Sequence, residues 1–117
     1  MKSFTELKVW AKAHQLVILV YKLTRDFPAE ERFSLTNQIR RAAVSIASNI
    51  AEGFQRSSSK VSRNFYDVAD GSIEEVKYQL LLSRDLGYIK GQDYTDSVQL
   101  AEEVSKMLRA WIASQRP

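Results

Sequence analysis

The sequence predicts an all-α chain folded as an antiparallel up-down-up-down four-helix bundle. Three observations carry this. Apolar residues recur at three-to-four spacing in four long segments, the mark of helices with one buried stripe. Breakers are scarce: the 117 residues include four glycines and two prolines, the second of them the last residue. That leaves little to punctuate many short strands. The joins are also short, and long helices with short joins pack as antiparallel neighbours. One domain over residues 1–117 is expected at this length.

The first helix is expected over about 6–26. Trp10, Ala13, Val17, Val20 or Tyr21 and Thr24 form its stripe, widened by Leu16 and Leu23. Phe27-Pro28 ends it, because a residue before proline is pushed out of the α region. Pro28, Glu30 and Glu31 suit an extra helical turn.

The second helix is expected over about 34–56, with Ser34 as N-cap. It contains the most unusual stretch of the chain, Asn37–Gly53, dense in alanine and serine. An apolar file runs through Leu35, Ile39, Ala42 or Ala43, Ile46 and Ile50. Beside it runs a polar file of Arg41, Ser45, Ser48 or Asn49, and Glu52. Polar groups next to a buried seam must be hydrogen-bonded, and such groups fix register or partner choice. Ser45, Asn49 and Glu52, with Gly53 and Gly71 as points of close approach, are therefore read as a structural or assembly network. A binding surface is the alternative.

The third helix, about 58–86, starts in the run Ser57-Ser58-Ser59, any of which can cap it. Its expected apolar file is Val61, Phe65, Val68 or Ala69, Ile73, Val76 and Leu80, and Gly87 suits the residue after its end. The fourth helix, about 92–114, carries Val98, Ala101, Val104 or Ser105, Leu108 and Trp111 or Ile112.

Several chemistries find no support. The chain has no cysteine, which excludes disulfides and thiolate metal sites and suits a reducing cytoplasm. The N-terminus MKSFTELKVWAKAH, interrupted by charge, does not read as a secretory signal, and the longest apolar run, Leu16–Tyr21, is far too short to span a bilayer. The one histidine, His14, has no nucleophile motif beside it and reads as a structural or surface residue. A di-metal bundle site needs Glu-x-x-His pairs, which are absent; Asp67, Asp70, Glu74 and Glu75 read as a solvated acidic face. No enzyme, cofactor, metal or membrane role is expected.

Net charge is +3, a mild bias that permits nucleic-acid binding without demanding it. Between Arg40 and Arg63 there are five basic residues against one acid. Arg40, Arg41, Arg56, Lys60 and Arg63 are the candidates for phosphate contact, with Phe54 and Tyr66 available for stacking. The competing reading has these cations solvated, some of them paired with Glu52 or Asp67.

Combined, several strings resemble one family. They are Phe4-x-x-Leu7-x-Val9-Trp10-x-x-Ala13, Phe27-Pro28-x-Glu30-Glu31, Gln38-Ile39-Arg40-Arg41-Ala42-Ala43-x-Ser45-Ile46, Ser48-Asn49-Ile50-Ala51-Glu52-Gly53 and Gly71-Ser72-Ile73-x-Glu75. The chain is similar, over about residues 4–112, to the bacterial four-helix-bundle proteins associated with intervening sequences of large-subunit ribosomal RNA genes. One departure is Phe33-Ser34-Leu35, where that family often has an aromatic, glycine and leucine. The resemblance implies an antiparallel four-helix bundle and a ring-shaped homo-oligomer, a pentamer. It also implies kinship with the accessory protein of diversity-generating retroelements, which pairs with a reverse transcriptase and binds nucleic acid. It supplies no catalytic residues. The expected function is thus a non-enzymatic, cytoplasmic, oligomeric bundle that binds RNA or an RNA–protein complex through basic residues, with RNA or a nucleic-acid-processing protein as the partner beyond its own copies. The alternative is a protein–protein interaction scaffold.

Overall fold

The structure, a computed structural model, describes residues 1–115. Four helices account for most of it: α1 (Lys8–Thr24), α2 (Leu35–Gln55), α3 (Ser59–Asp85) and α4 (Gly91–Ser114). Single 3-10 turns, Phe4–Glu6 and Ala29–Glu31, precede α1 and α2. Each helix packs on the next, and α4 packs back on α1, which closes an antiparallel four-helix bundle measuring 46 × 25 × 20 Å. No strand occurs among the described residues.

The core is one cluster in which Leu16, Ile39, Ile46, Ile50, Ile73, Leu80 and Leu108 are all but inaccessible to water. The α2 file is buried as its periodicity predicts: Leu35, Ile39, Ala42, Ala43, Ile46 and Ile50 all face inward. On α3 the buried face is rotated by one residue at its start. Ser62, Tyr66 and Ala69 point inward, while Val61 and Val68 are exposed. Small groups on α2 allow this. Gly53 lies under the Tyr66 ring, and a Cβ built there would come within 2.8 Å of Tyr66 Cδ1. The Ser62 hydroxyl donates to the Gly53 carbonyl at 2.7 Å, tying the helices where they lie closest in sequence.

The polar file resolves into parts. The Ser45 and Ser72 hydroxyls hydrogen-bond across α2 and α3 at 2.9 Å, and the Asn49 amide donates to Ser45 Oγ at 3.0 Å. Glu52 lies outside this network. It is exposed and forms an ion pair with Arg56 at 2.6 Å. Gly71 is also exposed, with no atom of the described chain near its missing Cβ, so it is not a point of close approach within the subunit.

Helix ends follow from local chemistry. Ser58 caps α3 by accepting from the Val61 amide at 3.4 Å. At its far end Gly87, with φ of 80°, takes the left-handed conformation that glycine adopts without steric cost. The Tyr88 amide then reaches the Ser83 carbonyl and the Gly87 amide reaches that of Arg84, satisfying two terminal carbonyls. Ser34 sits at the N-cap of α2, but its hydroxyl does not cap it; Glu31 Oε1 accepts from the Leu35 amide at 3.3 Å instead.

Glu31 also joins the two loops at this end, accepting from the Tyr88 hydroxyl at 2.8 Å, while the Tyr88 ring packs on Phe27. The Tyr88 hydrogen bond and then the Leu35 amide hold the Glu31 pKa below the ordinary glutamate value of 4.5. A carboxylate whose pKa is depressed by folding adds stability above its unfolded pKa and loses it as pH falls through the folded one. Acidification from pH 4.5 downward should therefore lower the melting temperature more in the native chain than in Tyr88→Phe, which keeps the ring and removes the donor. Equal slopes in a calorimetric pH series would contradict this.

Candidate nucleic-acid interface

The five candidate cations do not form one patch. Arg40 and Arg41 stand near the start of α2 and Arg56 just past its end, so 15 residues of helix, about 22 Å, separate Arg41 from Arg56. Arg40 is committed to the fold. Its Nε donates to Thr24 Oγ1 at 2.8 Å, and its guanidinium lies 4.7 Å from the centre of the Tyr21 ring. The buried Thr24 hydroxyl in turn donates to the Val20 carbonyl at 2.8 Å, so Arg40 completes a satisfied polar contact between α1 and α2. Arg41 is exposed beside a shallow polar groove that includes Ser45, Ser72 and Glu75.

Arg56, Lys60 and Arg63 lie at one end of the bundle, around the short α2–α3 join, but on different flanks: Lys60 and Arg63 line one cleft, while Arg56 lies over Phe65 and lines another. The serine run that caps α3 also sets their order, placing Lys60 and Arg63 in its first two turns. Arg56 pairs with Glu52 and lies over the Phe65 ring, 5.1 Å from its centre. Arg63 pairs with Asp67 at 2.9 Å. Both pairs are exposed and spaced i, i+4, a class worth only about 0.3–0.5 kcal/mol. A phosphate can therefore displace either carboxylate at little cost. Lys60 forms no ion pair among the described residues and stands at the positive end of the α3 dipole.

The aromatic side chains differ from expectation. Tyr66 is 3% exposed, so its ring cannot stack on a base. Phe54 is half-buried against the core. The basic end instead contains residues that composition did not single out. Two clefts, of about 370 and 230 Å³, flank Tyr66, and Ser59 and Gln115 line both. Trp111, expected only as part of the α4 stripe, lines the smaller cleft. Its indole nitrogen is buried without a hydrogen-bond partner among the described residues. The signal for Ser59 was present as a cap; that for Gln115 and Trp111 was not, because only packing brings the end of α4 beside the start of α3.

Elsewhere on α3 two acidic residues are engaged by cations, Glu74 by Lys77 at 3.4 Å and Asp70 more loosely by Arg109 at 3.8 Å, while Glu75 forms no ion pair among the described residues. His14 is exposed and stacks flat on Trp10, with ring centres 5.0 Å apart. Among the described residues no group of three or more His, Asp or Glu could hold a metal ion. No helix among them is long and apolar enough to cross a membrane.

The model of the 23S rRNA-intervening sequence protein family matches residues 5–110. The chain belongs to that family. Among solved structures it is similar to a protein of unknown function from the S23 ribosomal protein family of Bacteroides thetaiotaomicron VPI-5482. The two are 26% identical, with a TM-score of 0.83 over 90% of this chain and 95% of that one. No curated protein matches the chain. The matched residues take in α1 to α3 and most of α4, and with them the core, the Ser45–Ser72 contact and the Gly53 seat.

Proposed function

We propose that this family member is a non-enzymatic, homo-oligomeric bundle that binds RNA, or a complex of RNA and protein, through the basic end formed by Arg56, Lys60 and Arg63. The observation that carries the reading is the placement of these three cations around one helix junction, with Lys60 and Arg63 on a shared cleft and two of the three held only by weak exposed pairs. The family's link to ribosomal RNA intervening sequences supports RNA as the ligand class. Binding proceeds by phosphate neutralisation, which depends on salt and is nearly indifferent to sequence. Assembly into a ring, with a pentamer as the expected form, would repeat the basic end around an axis and raise avidity without new contacts. Arg41 contributes at most as a separate, peripheral contact, and Arg40 is assigned to the fold.

Filter binding with structured RNA over a salt series tests this. The variant Arg56→Ala/Lys60→Ala/Arg63→Ala should bind at least about tenfold more weakly at low salt. Its salt dependence should be shallower by about one unit for each phosphate that is no longer neutralised. No binding by the native chain at low salt, or unchanged binding by the variant, rejects the reading. Light scattering checks the assembly, which a monomer at micromolar concentration would refute.

A second reading, a scaffold for another protein, draws on the exposed apolar residues Ile18, Val44, Val61, Val68 and Tyr78. It predicts a partner that stays bound after nuclease treatment, with affinity indifferent to the basic end.

A further inference from the structure

We propose that two outward faces of the bundle are the complementary halves of one contact between copies of this chain. One is the outer strip of α3 around Gly71; the other is the α1–α2 face that exposes Ile18, Tyr21 and Val44. This contact rests on the homo-oligomeric reading given above and assigns it to named surfaces.

The third helix carries more apolar surface than its own subunit uses. Its core file holds Tyr66, Ala69, Ile73, Val76 and Leu80. A second file runs along a side turned away from the core: Val61, Asn64, Val68, Gly71, Glu75 and Tyr78, all exposed. These positions advance in steps of three and four, the spacing of a seam between packed helices. Val68 is 52% exposed and Tyr78 61%, and a helix at the surface of a monomer needs only one apolar stripe. Gly71 sits in the middle of the strip. Glycine inside a helix costs stability, and nothing within the subunit comes near its missing Cβ. Its bare backbone therefore suits the close approach of a helix from outside.

The matching face lies where α1 packs on α2. Arg40 reaches Thr24 and covers Tyr21, which sets Val44, one turn further along α2, beside the turn of α1 that holds Ile18. Ile18, Tyr21 and Val44 are exposed there, over the partly buried Val17 and Ala47.

Charge selects the occupant. Helices α1 and α2 together carry five Lys/Arg and one acid, whereas α3 and α4 carry six Lys/Arg and nine acids. Glu75 stands in the α3 strip without an ion pair among the described residues, and Asp67 and Glu74 beside it are held only by exposed pairs. Strip against strip, across a two-fold axis, would bring these carboxylates together, and like charges across an interface repel. The α1–α2 face has the opposite sign. Lys22 and Arg25 follow Ile18 by one and two turns and form no ion pair among the described residues. The α3 strip of one copy therefore fits the α1–α2 face of the next. Such a contact joins unlike faces, so each copy keeps one face free for another until a ring closes.

Light scattering on the purified full chain, with substitutions at exposed positions, tests the contact. Ile18→Glu/Val44→Glu alters one face and Val68→Lys/Tyr78→Lys the other, each placing charge opposite its own sign. Either pair should raise the protein concentration needed for half-assembly about tenfold or more, with helix content by circular dichroism unchanged. Gly71→Gln, which has open space in the subunit, should act in the same direction. Mixing the two double variants is the decisive arm. Each retains the face that the other has lost, so the mixture should recover a 1:1 complex. A contact between like faces predicts the reverse, one variant assembling alone and no recovery on mixing, and that result overturns the proposal. An oligomer whose mass neither pair alters also overturns it, yet leaves the homo-oligomeric reading standing. A native chain that stays monomeric leaves both faces to a different protein and removes the contact and that reading together.

Discussion

Replacing Gly53 by valine should destabilise the fold by about 1–3 kcal/mol or more, the range for forcing extra carbons into a packed contact. The new Cβ would collide with the Tyr66 ring, 2.8 Å from Cδ1 and 2.9 Å from Cζ. Tyr66 cannot swing away, because its ring is held within the core cluster. The helices must therefore separate, and separation also stretches the 2.7 Å bond from Ser62 to the Gly53 carbonyl. Gly71 supplies the control. It too lies inside a helix, but nothing stands near its missing Cβ. Gly71→Ala should stabilise the subunit by about 0.5–1 kcal/mol through backbone entropy and helix propensity alone. Opposite signs at the two glycines in chemical denaturation would establish the close α2–α3 contact. A neutral Gly53→Val would refute it.

Ile46→Ala should cost about 2–5 kcal/mol, the range for truncating a fully enclosed aliphatic side chain. Ile46 is 0% exposed at the middle of the core cluster, and the long helices around it cannot collapse into a cavity without shifting as rigid rods. Domains of this size have only about 5–15 kcal/mol in total. A fall in melting temperature of about 8–20 °C is therefore expected, at roughly 4 °C per kcal/mol. Val44, two residues away but 39% exposed, should change stability by no more than about 0.5 kcal/mol when truncated to alanine. If both substitutions act alike, the assignment of the α2 faces is wrong.

These contrasts mark what the chain displays openly. Helix number, approximate helix ends and the buried file of α2 were legible because a three-to-four apolar repeat and a shortage of breakers admit few alternatives. The start of α3 was not. Val61, Phe65 and Val68 share the same spacing as Ser62, Tyr66 and Ala69, so periodicity supports both faces, and hydrophobicity favours the first. The structure takes the second because the close contact with α2 accepts small residues and one ring seated on Gly53. Tyr66 thereby moved from a stacking candidate to a core residue. Arg40 changed likewise, from a phosphate candidate to the partner of Thr24, since a side-chain contact spanning 16 residues leaves no periodic trace.

By itself the sequence determined an all-α bundle of four helices, its family and the local origin of a basic end in the serine-capped start of α3. Those features depend on short-range spacing, propensity and charge, which the order of residues states directly. The tertiary structure alone decided which cation is committed to the core, which glycine is a packing contact and that the end of α4 lines a cleft beside Tyr66. Such facts depend on rotations of helices about their own axes and on contacts between distant segments, and these are settled by the shapes of the facing surfaces.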